Sequence, residues 1–144
     1  MGGYLQGKGV LDMKKKYGAL FCAILALVLM ALPFSMTLTF AAGPDNQIRK
    51  FFSYFDLTAV GYANPFPFLT AILCIAGIAV LLIYRKRRRL PALACLVLSA
   101  LTAGICLFLS GIPSVWEFAV LFLLVISVLF LIMENVGKNT KESP

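Results

Sequence analysis

The chain has 144 residues, of which 61% are hydrophobic and 13% are charged. Soluble domains are about 45–50% apolar and about 25% charged, and a domain of this length cannot hide so much apolar surface from water. The composition therefore excludes the soluble globular, disordered and fibrous classes and indicates an integral membrane protein.

The net charge of +7 arises from 13 Lys and Arg against 6 Asp and Glu. Nucleic-acid binding could explain so basic a chain, but the positions of the basic residues favour another explanation. Only Arg49 and Lys50 lie between the first and second apolar stretches. The other basic residues lie at ends of the apolar stretches that a topology of four spans places together on the opposite side of the membrane. This is the positive-inside bias of membrane proteins. We expect the lipid bilayer as a partner, with no nucleic acid and no metal.

Four apolar stretches are long enough to cross a bilayer. They cover about residues 17–40, 66–84, 90–112 and 115–133. About 20 helical residues cross the ~30 Å hydrocarbon core, and backbone polar groups in lipid must be bonded within the segment. The sequence predicts an all-α integral membrane four-helix bundle over residues 17–134, with cytoplasmic tails at 1–16 and 135–144. We expect it in the plasma membrane of a bacterium.

The first stretch also has the pattern of a secretory signal peptide. Lys14, Lys15 and Lys16 form the basic region, an apolar region follows, and small residues surround Ala41. Cleavage there would leave a protein of three spans. We favour an uncleaved first span, because the apolar run is long and Pro33 can lie in a kinked or tilted helix end.

The external segment after the first stretch carries a helical pattern. Apolar residues recur at spacings of three and four, at Ile48, Phe51, Phe52 and Phe55. This spacing predicts a short amphipathic helix in the outer membrane interface. The helix would either cap the bundle or present Phe51, Tyr54 and Phe55 as a surface for a protein partner.

Five consecutive basic residues separate the second and third stretches: Arg85, Lys86, Arg87, Arg88 and Arg89. Each Lys or Arg beside an anionic leaflet contributes about 1 kcal/mol of attraction. The run is therefore predicted to anchor the topology by holding this loop in the cytoplasm. A site for an anionic lipid or a nucleotide is the alternative, but no Gly-rich phosphate motif accompanies the run.

The third stretch has a face of small residues spaced by three or four positions, which are Ala92, Cys95, Ser99, Ala103, Cys106 and Ser110. Small side chains let helix backbones approach closely in lipid. We expect this face to carry the helix packing and to place the third span at the centre of the bundle. A shorter matching face on the second span contains Thr70, Cys74 and Gly77.

Glu117 is an acid at the start of the fourth stretch. Ser114 precedes it by three positions, which is the spacing of a capping box. We predict that the two residues cap the helix and that Glu117 stays hydrated and ionised in the interface. The alternative is a functional ionisable group inside the membrane. Glu134, at the other end of the stretch, is expected to need only solvent.

The sequence contains no arrangement that we associate with catalysis. It has no His, its four Cys lie inside spans without a C-x-x-C motif, and no G-x-S-x-G context activates a Ser. We therefore expect no enzyme, no catalytic residue and no cofactor. The remaining hypothesis is a non-enzymatic accessory or scaffold protein that contacts another membrane protein, or a second copy of itself, through its helices. A small oligomeric transporter or pore is the alternative.

Overall fold

The structure is a computed structural model of the chain, and it describes residues 3–41, 47–57, 64–83, 90–110 and 114–139. Over these residues the chain forms helices and one antiparallel β-hairpin. The elements are α1 (Gly3–Ala31), β1 (Met36–Ala41), β2 (Gln47–Phe52), α2 (Phe66–Ile83), α3 (Leu90–Leu109) and α4 (Val115–Asn139). The helices pack as a bundle.

Three helical segments are long and apolar enough to cross a membrane: α2, α3 and the Val115–Glu134 part of α4. The apolar described part of α1 is shorter and covers Lys16–Ala31. The predicted outer boundary of the first span, near residue 40, is wrong, because α1 ends at Ala31. The cause is Pro33, which has no N–H to donate and disfavours helical geometry in the residue before it.

The segment predicted as an amphipathic helix is instead β2. It pairs with β1 in a register that runs from Met36 opposite Phe52 to Ala41 opposite Gln47. Ile and Phe favour strands, so the few apolar residues that suggested a helix fit an extended chain equally well. Residues 47–52 form a strand and not a helix because their backbone hydrogen-bonds to the neighbouring strand β1.

The helices form a ring in which each has two main neighbours. The most extensive packing joins α1 with α4 and α2 with α3, and the ring is completed by contacts of α3 with α4 and of α1 with α2. The third span is therefore one corner of the ring and does not occupy its centre. The inward face of α1 is lined by Ala19, Ala23, Ala26 and Met30.

The predicted small face of α3 lies largely inside the bundle. Its buried members are Ala92, Ser99, Ala103, Cys106 and Ser110, while Cys95 is half-buried. The opposite face is exposed at Leu98, Leu101, Ile105 and Phe108. Close approach to α2 is clearest at Gly77, where a Cβ atom would lie 2.9 Å from Cγ of Leu96.

Candidate functional site

Glu117 begins α4 in a network of hydrogen bonds to Ser114. The backbone N–H of Glu117 donates to Oγ of Ser114 over 3.3 Å and to its carbonyl oxygen over 3.1 Å. In the reverse direction, the carboxylate of Glu117 interacts with both the backbone and the side chain of Ser114. These are the bonds of a capping box, and they orient the carboxylate toward the outer end of the bundle.

The environment of Glu117 differs from the hydrated interface that the sequence suggested. Its side chain is only 2% exposed, so that expectation is wrong. The outer hairpin, meaning residues 36–41 and 47–57 with β1 and β2, covers this end of α4. The backbone N–H of Thr37 in β1 donates to Oε1 of Glu117 over 2.8 Å. The carboxylate therefore serves the hairpin as well as its own helix.

Three further contacts join the bundle to the hairpin and to residues 34 and 35, which lead into it. The backbone N–H of Tyr54 donates to the carbonyl of Met30 over 3.0 Å, and the hydroxyl of Ser35 donates to the same carbonyl over 3.1 Å. The rings of Phe34 and Trp116 pack with their centroids 5.1 Å apart. The hairpin is thus joined to the outer ends of both α1 and α4.

The predicted partner surface of Phe51, Tyr54 and Phe55 is divided by this arrangement. Tyr54 is 1% exposed and points into the protein, whereas Phe51 is 62% exposed and Phe55 is also exposed. The three side chains therefore do not form one surface. Tyr54 belongs to the interior, and only the two phenylalanines remain available from outside.

Tyr54 lies in a polar cluster that we call the outer chamber, which consists of Thr37, Tyr54, Cys106, Ser110 and Glu117. Burial raises the pKa of the Tyr54 phenol, and electrostatic interactions with Cys106 and Glu117 raise it further. The phenol therefore remains a neutral O–H group. Ser110 lies beside the carboxylate of Glu117, and its hydroxyl donates to the carbonyl of Cys106 over 2.8 Å.

Several oxygens of the outer chamber lack a hydrogen-bond partner among the residues that the structure describes. They are Thr37 Oγ1, Tyr54 Oη and Glu117 Oε2. The carboxylate thus uses one oxygen to bind the hairpin and leaves Oε2 buried without a hydrogen-bond partner. Buried oxygens without partners are the atoms that a small polar or charged ligand would bond, and this makes the outer chamber the candidate site.

Other buried polar groups are used in helix packing. Oγ1 of Thr70 and Oγ1 of Thr102 lie 2.8 Å apart, and Ser99 donates to the carbonyl of Thr70 over 3.0 Å, which joins α2 to α3. On the other side of the ring, Ser127 donates to the carbonyl of Ala19 over 2.8 Å. Cys74 donates to the carbonyl of Ala23 over 3.6 Å. These groups have bonded partners, so they are not candidates for a ligand site.

The remaining predicted residues fall elsewhere. The basic run of residues 85–89 lies outside the described residues. Glu134 is 1% exposed, so the expectation that solvent alone surrounds it is wrong. All four cysteines are free thiols. Within the described ranges, no three His, Cys, Asp or Glu side chains come together as a metal-ligand group.

Sequence reasoning missed Thr37 and Tyr54 as members of the site. Both lie in the segment whose fold was mispredicted, and a hairpin prediction over residues 36–52 would have been needed to place them near α4. Cys106 and Ser110 were identified only as small packing residues. Their spacing of four positions does show that they share the face of α3 that meets Glu117.

Comparison with known proteins finds no matching family model, no similar curated protein and no similar solved structure. The function is therefore inferred from the geometry of this chain.

Proposed function

We propose that this chain is a non-enzymatic accessory protein of the membrane that contacts another membrane protein through its outer hairpin. The supporting observation is a set of exposed apolar side chains outside the candidate spans. These side chains belong to Ile48, Phe51, Phe55 and Leu57, and we call them the hairpin surface. Ile48 and Phe51 lie on opposite faces of β2, because side chains alternate along a strand. Exposed apolar side chains on the membrane helices are accounted for by lipid, but those of the hairpin surface are not. Clustered exposed apolar groups mark interaction sites.

Two further features support a contact role. The hairpin is bonded to Glu117 and Met30, and Phe34 just before it packs on Trp116, so its exposed side chains are presented in a fixed orientation. A pre-organised surface loses less conformational freedom on binding than a mobile loop does. In addition, α2 already occupies the small-residue face of α3. A partner must therefore use another surface.

Affinity purification in mild detergent, followed by identification of the partner, tests this proposal. The informative variant is Phe51→Ala, and its matched control is Phe108→Ala, which removes an 87% exposed ring at the outer end of α3. An aromatic contact residue contributes about 2 kcal/mol at the centre of an interface, or roughly 30-fold in affinity. Phe51→Ala should lose the partner while Phe108→Ala retains it. Equal retention by both variants would remove the hairpin surface from the proposal.

A small oligomeric transporter is the second candidate, because α4 carries two buried carboxylates, Glu117 and Glu134. Buried acids in membrane helices occur on proton and ion pathways. Proton flux into proteoliposomes that contain the purified protein would favour this function, particularly if Glu117→Gln or Glu134→Gln abolished it. Absence of flux would favour the accessory role.

A further inference from the structure

Three oxygens of the outer chamber come from separate parts of the chain. The docked hairpin bonds the backbone of Thr37 to Glu117 and places Tyr54 within electrostatic range of the same carboxylate. Thr37 is 4% exposed, Tyr54 1% and Glu117 2%. Their side-chain oxygens Oγ1, Oη and Oε2 have no hydrogen-bond partner among the described residues. Buried polar atoms are nearly always bonded, so the three unpaired oxygens of this cluster indicate a polar or charged partner that the protein itself does not supply.

The charge of Glu117 indicates what kind of ligand this is. The described groups around its carboxylate belong to Thr37, Ser110 and Ser114, and none of them is charged. The N-terminus of α4 supplies a partial positive charge of about one half. A buried carboxyl group either holds a proton or has its charge balanced by a positive group, and a cation bound beside Oε2 would supply that balance.

We propose that the outer chamber binds an alkali-metal cation through Oε2 of Glu117, Oγ1 of Thr37 and Oη of Tyr54. Carboxylate and hydroxyl oxygens are the ligands that hard cations prefer. One carboxylate with neutral oxygens matches a single positive charge better than the two charges of Ca²⁺. Oγ of Ser110 can add a fourth ligand, because its proton is donated to the carbonyl of Cys106.

The bound cation would join β1, the segment after β2 and α4 at one point. Docking of the outer hairpin would then be coupled to cation binding, since the three ligands converge only in the docked state. This coupling goes beyond the contact role proposed above, because the cation would control how firmly the contact surface is presented.

The experiment measures thermal unfolding of the purified full chain in mild detergent as choline chloride is replaced by LiCl, NaCl or KCl at constant ionic strength. A ligand that binds only the folded state raises the unfolding temperature with its concentration. We expect a rise in at least one alkali chloride that saturates. A ²²Na⁺ binding assay with LiCl and KCl as competitors measures the same site directly.

Single-atom variants locate the effect. Tyr54→Phe removes only the phenol oxygen, and Thr37→Val removes the hydroxyl but keeps the backbone N–H that bonds Glu117. Both should abolish the cation-dependent shift, as should Glu117→Gln. The matched control is Ser127→Ala, which removes a buried hydroxyl of α4 that bonds Ala19. It should lower stability in every salt and leave the shift unchanged.

Two results would overturn the proposal. Identical unfolding temperatures in choline and in all three alkali chlorides, without ²²Na⁺ binding, would mean that the chamber holds only a water molecule or a proton. A shift that persists in both Tyr54→Phe and Thr37→Val would place the cation elsewhere. Because these two variants leave the carboxylate intact, the test does not depend on the folding of Glu117→Gln.

Discussion

The backbone N–H of Thr37 and the carboxylate of Glu117 are joined by a 2.8 Å hydrogen bond across 80 positions of the chain. The bond links the first residues of the outer hairpin to the first turn of the last helix. The Phe34 and Trp116 rings pack beside it, with centroids 5.1 Å apart. The outer hairpin is therefore packed against the bundle and is not a detached loop.

Glu117→Ala should destabilise the protein much more than Glu117→Gln. Alanine leaves the N–H of Thr37 buried without an acceptor, which costs about 1–3 kcal/mol, and it removes the cap of α4 as well. Glutamine can still accept from Thr37 through its amide oxygen. Thermal unfolding in choline chloride measures the difference apart from any cation effect. Equal losses in the two variants would show that the charge of the carboxylate is itself required.

Gly77→Ala should destabilise the contact between α2 and α3. The added Cβ would lie 2.9 Å from Cγ and 3.0 Å from Cδ2 of Leu96, and overpacking of this kind costs about 1–3 kcal/mol. Gly104→Ala is the matched control, because its Cβ would meet nothing within 4 Å. Thermal unfolding in detergent compares the two. The double variant Gly77→Ala with Leu96→Ala should lose less stability than the sum of the two single losses, because the smaller side chain at position 96 removes the clash. A fully additive double variant would contradict the proposed clash.

Ser99→Leu and Ala103→Leu should disrupt the bundle more than Leu98→Ala does. Ser99 and Ala103 are buried, and Ser99 donates to the carbonyl of Thr70. A larger side chain at either position separates helices whose backbones lie close together. Leu98 is on the exposed face, where a smaller side chain leaves the packing unchanged. The readout is the fraction of monodisperse protein after heating in detergent, and equal tolerance on both faces would count against this packing.

The orientation of the chain can be tested by labelling single cysteines in a background without the native ones. We expect positions 45 and 114 to react with a membrane-impermeant thiol reagent from outside the cell. Positions 87 and 138 should react only after the cells are opened, because basic residues accumulate on the cytoplasmic side. Labelling of position 45 only from the cytoplasmic side would reverse the proposed orientation.

We expect α1 to remain in the mature protein. Its Ala19 and Ala23 carbonyls accept hydrogen bonds from Ser127 and Cys74, and cleavage after Ala41 would leave both donors buried without acceptors. Intact-mass spectrometry of the protein purified from membranes tests this expectation. A mature N-terminus at Ala42 or Gly43 would instead establish the signal-peptide alternative.

The helices of the bundle could be predicted because an uninterrupted apolar run has only one stable form in lipid. The second predicted span, residues 66–84, differs from α2 by a single residue at its end. The inward face of α3 was also accessible from the sequence, because small side chains at helical spacing define it without reference to any neighbour.

The outer hairpin could not be predicted in the same way. Ile48, Phe51 and Phe52 satisfy a helical spacing, but over so short a segment they are compatible with a strand, and the pairing with β1 decides. The burial of Glu117 depends in turn on that hairpin. Because the hairpin was not predicted, the sequence did not indicate that Thr37 and Tyr54 lie near Glu117 in the outer chamber.

The long sequence separation between Thr37 and Glu117 has a consequence for biosynthesis. A chain that enters the membrane from its N-terminus exposes the hairpin before α4 has been made. At about 5–20 residues per second, the 80 intervening positions take roughly 4–16 s to synthesise. During this interval the N–H of Thr37 has no carboxylate to bind, and the hairpin is open to proteases and chaperones. Completion of the last helix is therefore the event that closes the outer end of the protein.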